Sequence, residues 1–273
     1  MDGTATWTGT NTSANYSPSI WNDCPVESLR DGQATGPGGF IWEHRFVNIP
    51  VTLPTTEGNW GELTAFSSTG GTAVPDDGEI GGGVALASDD DNEGVGMRSG
   101  GTPAKIILTG GDFWFEARVK SSTIADTKLG FFLGLTANVA LTATSPIAAN
   151  GTLADINLVG FHRLEGDGDK VDAVYKASGV TQVTVQADAG TLVAATYTNL
   201  GMKFVAARNI GRGVGYLYWF QDGVEIAAKL IPSAAGTDFP NNVNLGFVFA
   251  MLNAAAAPGT ASIKHVRMAQ VIR

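Results

Sequence analysis

Between Gly111 and Lys120 the residues Phe113, Phe115, Ala117 and Val119 alternate with Trp114, Glu116, Arg118 and Lys120. Successive side chains of a β-strand point to opposite faces, so this register predicts a strand with one apolar and one mostly charged face, packed on one side and wetted on the other. On that reading Glu116, Arg118 and Lys120 share a solvated, charge-balanced surface. Trp114 on the same face needs a separate reason, either a covering segment or a ligand.

Comparable strands follow to the C-terminus. Residues 129–136 are apolar and broken by glycines, which suits a buried strand. Residues 157–163 and 171–176 flank the turn-forming run Glu165-Gly166-Asp167-Gly168-Asp169 and predict a hairpin. Residues 180–186 and 200–206 continue the series. The strongest hairpin signal is 215–220 and 224–228, joined through Asp222-Gly223, where a tight turn needs positive φ. Residues 243–251 and 262–271 close the chain with further alternation. Upstream, Val84 and Leu86, then Val95 and Met97, predict two short strands around the acidic run Asp89-Asp90-Asp91-Asn92-Glu93, read as a hairpin tip. Residues 137–155 read as a loop with room for a short helix. About ten to fourteen strands would stack as two sheets.

Composition agrees with an all-β chain: of 273 residues, 44% are hydrophobic, only 16% are charged and 36 are Gly, a mixture of short strands and tight turns. A net charge of −9, with no basic run interleaved with aromatics, disfavours nucleic acid as a partner. No stretch approaches the roughly 20 apolar residues of a membrane helix, so no membrane partner is expected. Met1-Asp2-Gly3-Thr4 lacks the basic start of a secretory signal, and synthesis in the cytoplasm is expected. Cys24, the single cysteine, precludes an intrachain disulfide and reads as a small buried hydrophobe, since no histidine lies near it in sequence.

Residues 1 to about 60 have a different texture, with Thr, Asn, Ser, Gly and Pro surrounding isolated large apolar side chains. Such a segment cannot bury a core of its own. The expected organisation is an extended arm over 1–60 and a sandwich over 61–273. Trp7, Trp21, Pro25, Phe40 and Trp42 are the candidates for anchoring the arm, on its own sandwich, a sister subunit or another protein.

Candidate chemistry is sparse. No pair of acids has the spacing that places two carboxylates for glycoside hydrolysis, three histidines offer little for a lyase constellation, and no Ser-His-Asp signature occurs. Gly81-Gly82-Gly83 and Gly211-Arg212-Gly213 lack the Lys-Ser/Thr of a phosphate loop and read as turns. Asp89–Glu93 and Asp167-Gly168-Asp169 could offer oxygen ligands to calcium, but neither fits an EF-hand loop, and a solvated acidic turn is the simpler reading. No cofactor, resident metal or catalytic residue is expected.

Residues 113–119, 131–136, 159–161, 218–224 and the closing 263–270 resemble, in this order, the recurrent strands of concanavalin-like and laminin-G-like jelly-roll sandwiches. That resemblance covers about 110–273 and implies two antiparallel sheets. Ser17-Pro18-Ser19-Ile20-Trp21-Asn22-Asp23-Cys24-Pro25 resembles the opening motif of virion structural proteins of tailed bacteriophages that carry such a domain behind an irregular N-terminal segment. What this implies is a decoration, or cement, protein on the outer surface of a phage head, bound to the major capsid protein as a homotrimer or other symmetric homo-oligomer. The rival expectation is a non-catalytic carbohydrate-binding module on a virion surface or tail, with Trp114 and Trp219 as stacking platforms.

Overall fold

A computed structural model of the chain describes residues 16–26, 29, 38–46, 58–60, 63–67, 70–76, 81–100, 104–105, 111–137, 146–148, 152–206, 215–231 and 238–272. A four-residue helix α1 (Pro18–Trp21) precedes strands β1 (Gly38–Arg45), β2 (Gly58–Trp60), β3 (Leu63–Ser67), β4 (Thr72–Pro75), β5 (Val84–Ser88), β6 (Gly94–Ser99) and β7 (Ala104–Lys105). There follow β8 (Phe113–Ser121), β9 (Leu129–Ala137), β10 (Leu158–Arg163), β11 (Lys170–Lys176) and β12 (Val183–Thr191). The last five are β13 (Thr198–Ala206), β14 (Gly215–Gln221), β15 (Val224–Ile231), β16 (Asn244–Asn253) and β17 (Gly259–Ile272).

These strands form two antiparallel sheets. One has eight strands in the order β15-β14-β13-β8-β17-β5-β4, with β1 also on β17; the other has nine in the order β12-β11-β10-β9-β16-β6-β3-β2, with β7 also on β16. The length of β17 lets it serve three neighbours. Residues 261–270 pair with β8 along one edge, while 259–263 and 265–272 pair in succession with β5 and β1 along the other. Strand β1 lies within the segment expected to be an arm, and here it is part of the sheet.

The core forms where the inward faces meet. Phe113, Phe115, Ala117 and Val119 of β8 join Leu200, Met202 and Phe204 of β13 and pack against Phe131, Leu133 and Leu135 of β9 and Phe247 and Phe249 of β16. The period-two alternation of residues 113–119 thus sets the inward register as expected. Trp219 also points inward. It is fully buried, and its Nε1 donates to the Gly160 carbonyl of the opposite sheet at 2.9 Å. The expectation of a glycan platform at Trp219 is therefore corrected: the indole is core, its polar atom satisfied across the sandwich. Along one side the two sheets are stitched together by Gln221, whose Nε2 donates to the Thr191 carbonyl (2.6 Å) while its Oε1 accepts the Thr191 N–H (2.9 Å).

Both sheets are apolar on their outer faces as well. Outside the nine-stranded sheet, Phe132, Leu158, Val174, Val248, Ala250 and Leu252 are covered by Ile147 and Leu153, which form an antiparallel bridge, and by Ile156. This double burial explains why β9 reads as a nearly continuous apolar run rather than an alternating one.

The acidic run is not a hairpin tip. Strand β5 joins the eight-stranded sheet and β6 the nine-stranded one, so residues 89–93 carry the chain across the sandwich. The reason is local pairing with the end of β16: the Asn92 N–H donates to the Asn253 carbonyl and the Asn253 N–H to the Glu93 carbonyl, both at 2.8 Å. Asn92 adopts φ 60°, a conformation Asn tolerates well.

Replacing Trp219 with Phe removes the cross-sheet donor, strands the Gly160 carbonyl and leaves a small void. The expected cost is about 2 kcal/mol, read as a lower midpoint in chemical denaturation with an unchanged m-value.

Candidate functional site

The outer face of the eight-stranded sheet is where the sequence concentrated its functional candidates. Trp114, Glu116, Arg118 and Lys120 of β8 point to this side, and the cross-strand partners of Glu116 are Gly201 on β13 and Arg267 on β17. Residues 16–26 lie over it. Trp114 is 1% exposed and Glu116 is fully buried, so neither belongs to a wetted surface.

Glu116 is enclosed by the motif Ser17–Pro25. Its carboxylate accepts the Ser17 N–H at 3.0 and 2.9 Å on its two oxygens, the Ser17 hydroxyl, and Trp21 Nε1–H at 2.7 Å. A buried carboxylate is tolerable only with such a complement of donors. Arg267, paired with Glu116 across the strands, lays its guanidinium over the rings of Trp21 (4.5 Å) and Tyr16 (4.8 Å), while Tyr16 meets His265 edge-on at 4.6 Å. Burial pushes the Glu116 carboxyl above its ordinary range, and the hydrogen bonds from Ser17 and Trp21 together with Arg267 pull against that.

The remaining motif residues are equally engaged. Pro18 opens α1, where its missing N–H costs nothing. Ile20 sits over Gly201, where a Cβ would come within 2.4 Å of the Ile20 side chain, so only glycine admits the contact. The Ser19 hydroxyl donates to the Gly223 carbonyl in the β14–β15 turn. Asp23 accepts Trp114 Nε1–H at 3.0 Å and forms an ion pair with Lys203 at 2.7 Å. Cys24 packs into the same apolar cluster, and burial pushes its thiol up to about 12, which leaves it protonated and inert at neutral pH.

The expected sites therefore resolve as follows. Trp21 is buried beneath its own segment, Phe40 and Trp42 of β1 pack against the main core, with Trp42 5.9 Å from the Phe247 ring, and Pro25 accepts the Leu29 N–H at 3.0 Å. Trp21, Phe40 and Trp42 thus contact this chain's own sandwich, while Pro25 is bonded within the N-terminal segment. Trp7 lies outside the described residues, as does Arg212. Trp114 as a stacking platform is corrected by its burial under Asp23 and α1, the covering segment being the reason for its position. The solvated face read for Glu116 is corrected in the same way.

Asp89, Asp90 and Glu93 place one carboxylate oxygen each within 4.8 Å of one another. Asp89 and Asp90 are exposed and Glu93 is half-buried, accepting from the Ser88 hydroxyl at 2.9 Å. Three such oxygens fall short of the six to eight that calcium takes, and the turn's geometry is already accounted for by its pairing with Asn253. His162 and Arg163 of β10 are buried, with Arg163 Nε donating to the Gly168 carbonyl at 2.8 Å.

Outward side chains on β14 form an unexpected feature: Tyr216, Tyr218 and Phe220 make a ladder of rings, centroids 6.0 and 6.4 Å apart. Phe220 is buried against Ile20 and Trp21, whereas Tyr216 is 46% exposed. The alternation in Gly215–Phe220 carried this signal, since Tyr216 and Tyr218 necessarily face away from the inward Leu217 and Trp219.

No protein-family model matches the sequence, and no curated protein is similar to it at a significant level. Solved structures share the fold. The chain is similar to a protein of unknown function from Shewanella oneidensis MR-1 (11% identity, TM-score 0.53, covering 91% of this chain and 94% of that one). It is also similar to peanut lectin (11% identity, TM-score 0.51, covering 86% and 99%) and to an endo-β-1,4-glucuronan lyase from the fungus Trichoderma reesei (10% identity, TM-score 0.50, covering 83% and 94%). The fold is thus a lectin-like, concanavalin-type jelly roll, an architecture that carries binders and enzymes alike. Among the described residues no helix is long and apolar enough to cross a membrane.

Glu116→Ala leaves three donors of residues 17–21 without their acceptor. The expected result is a loss of about 2–3 kcal/mol, fast hydrogen exchange confined to residues 16–26, and red-shifted emission from Trp21 and Trp114. A carboxyl raised in the folded state binds its proton more readily there than in the unfolded chain, so its contribution to stability is in place below the unfolded value and is lost as pH rises through the folded one. The stability difference between wild type and Glu116→Gln therefore moves in favour of the variant as pH rises above about 4.5, measured by denaturation across pH.

Proposed function

We propose that the chain is a non-catalytic structural protein that decorates the outer surface of a tailed-phage head. The observation that carries this reading is the Ser17–Pro25 motif: it resembles the opening of a group of phage virion proteins, and Ser17, Ser19, Ile20, Trp21 and Asp23 each hold the N-terminal segment to the sandwich. A rigid body with a fixed N-terminal exit suits a component that repeats over a symmetric shell, where many modest contacts add through avidity. The partner in this reading is the major capsid protein, the chain acting as a homotrimer or other symmetric oligomer assembled after synthesis in the host cytoplasm.

Absence of catalysis is part of the proposal. The acid on the best candidate strand, Glu116, has its oxygens occupied by Ser17 and Trp21, and the Cys24 thiol is protonated. The lectin and the lyase that share the fold at 10–11% identity assign neither sugar binding nor bond cleavage to this chain.

The arm that reaches a neighbouring subunit is proposed to be residues 1–15, with Trp7 as its large anchor. Residues 16–26 and 38–45 are committed to the sandwich, so deleting 1–60 would strip a strand from β17 and uncover Trp114. Deleting only 1–15 leaves residues 16–26, which clasp the outer face of the eight-stranded sheet, in the chain together with their contacts described above.

Purified chain added to heads assembled without it should co-sediment, saturate at a number set by the lattice symmetry, and raise the temperature at which heads rupture. A chain that remains in the supernatant at micromolar concentration overturns the proposal. The 1–15 deletion should keep the wild-type melting temperature and fail to decorate; full decoration by that variant removes the anchor from residues 1–15.

A further inference from the structure

Arg118 of β8 and its cross-strand neighbour Asn199 of β13 each carry a polar atom that the fold buries and leaves without a hydrogen-bond partner, the Arg118 Nε–H and the Asn199 Oδ1. Both residues are half-buried. Native structures leave few such groups unsatisfied, and an ion or a water commonly belongs where they do. Among the described residues no carboxylate answers Arg118, because the nearby acids are engaged elsewhere. Glu116, on the same face of β8, accepts from Ser17 and Trp21; Asp76 accepts the Tyr197 hydroxyl at 2.6 Å and pairs with Lys120 at 3.0 Å; Asp222 accepts the main-chain N–H of Asn199 at 2.9 Å. The Arg118 guanidinium rests instead 5.7 Å from the centroid of the Tyr197 ring, with the Lys120 and Lys264 ammonium groups 4.6 and 5.5 Å from the same ring. His265, only 3% exposed, lies across the strands on the other flank of Arg118.

We propose that Arg118 and the side-chain amide of Asn199 form a site for an oxyanion: a carboxylate, sulfate or phosphate group, arriving as a small ion or on a protein side chain. Three features select this chemistry. A guanidinium offers parallel N–H groups that match two oxygens of one anion, and this one lacks a counter-charge among the described residues. The Asn199 amide presents its nitrogen to the anion after a flip that leaves its bond to Asp222 intact, because that bond uses the main-chain N–H. Finally, the guanidinium is pre-organised: the ring beneath it is pinned through its hydroxyl to Asp76, so binding costs little further ordering. The two unsatisfied atoms define the site whatever the charge of its surroundings, which include Asp77 and Glu79, outside the described residues.

The test follows the full-length chain by NMR, at the Arg118 Nε–H and the backbone amides of Val119 and Leu200, while sodium sulfate or phosphate replaces sodium chloride at fixed ionic strength. A saturable shift in the millimolar range is expected. Affinity should fall about tenfold or more in Arg118→Lys, which keeps the charge and loses the fork, and should vanish in Arg118→Gln and in Asn199→Asp, where an internal carboxylate takes the anion's place. Sulfate stabilises folded proteins generally by exclusion from their surface, so the thermal readout is a difference: the anion should raise the wild-type melting temperature more than that of Arg118→Gln. Equal gains in the two proteins, signals unmoved by about 20 mM of either anion, or wild-type affinity in Asn199→Asp overturns the proposal. Co-sedimentation with heads then separates the sources of the anion. Full decoration by Arg118→Gln assigns the site to a small ion, whereas decoration lost in that variant, and competed from the wild type by the same sulfate, assigns it to a carboxylate of the shell. The anion titrations need no heads, so this site and the decoration role fail independently.

Discussion

A carboxylate removed from water must find donors for its oxygens or give up its charge, and Glu116 finds them in residues 95 to 99 positions earlier in the chain. Most of the outer architecture of the eight-stranded sheet follows from that requirement. Ser17 and Trp21 can reach Glu116 only if the short helix between them lies flat on the sheet, which needs the side-chain-free surface of Gly201 beneath Ile20. With the helix so placed, Asp23 falls over Trp114 and Lys203, and the indole that would otherwise face solvent becomes the floor of a third apolar cluster. One buried charge, satisfied by one short segment, thereby converts a half-wetted sheet into one buried on both sides.

The same principle governs the opposite sheet by different means. There the side chains that meet the sheet face are Ile147, Leu153 and Ile156, all apolar, with Asp155 at the margin bonded to the Gly179 N–H and paired with Lys176. The contrast has a consequence for specificity. Apolar contacts tolerate sliding, whereas a carboxylate that accepts from a backbone N–H, a hydroxyl and an indole fixes its donors in one register. The N-terminal segment is thus positioned more strictly than its length and composition would suggest.

Legibility in the sequence tracked how local the cause was. The inward register of β8, the Asp222-Gly223 turn and the Glu165–Asp169 hairpin depend on neighbouring residues, and all three stand where the pattern put them. The outer face of β8 depended on residues 17–23, and nothing in Trp114-Phe115-Glu116 reveals that its polar side is roofed. The acidic run 89–93 failed as a hairpin tip for a similar reason: the pairing that pulls β6 into the other sheet is with Asn253, distant in sequence. Strand β1 is not legible in the sequence because its partner is the C-terminal half of β17, and its half-buried residues show no clean alternation. The motif Ser17–Pro25 could be recognised from sequence, but its physical meaning required knowing what lay beneath it.

The edge of the clasp also decides which part of the sheet stays open. Residues 16–26 cover the row containing Phe220, Gly201 and Glu116, and Asp23 reaches the next row at Lys203 and Trp114. In the row beyond, Tyr216 and Leu230 stay exposed. Leu230 there is aliphatic, whereas Tyr216, propped on Tyr218, presents a hydroxyl-tipped ring that water tolerates. Among the described residues, burying Trp114 and exposing Tyr216 go together, because residues 16–26 are anchored over Glu116, two cross-strand rows from Tyr216.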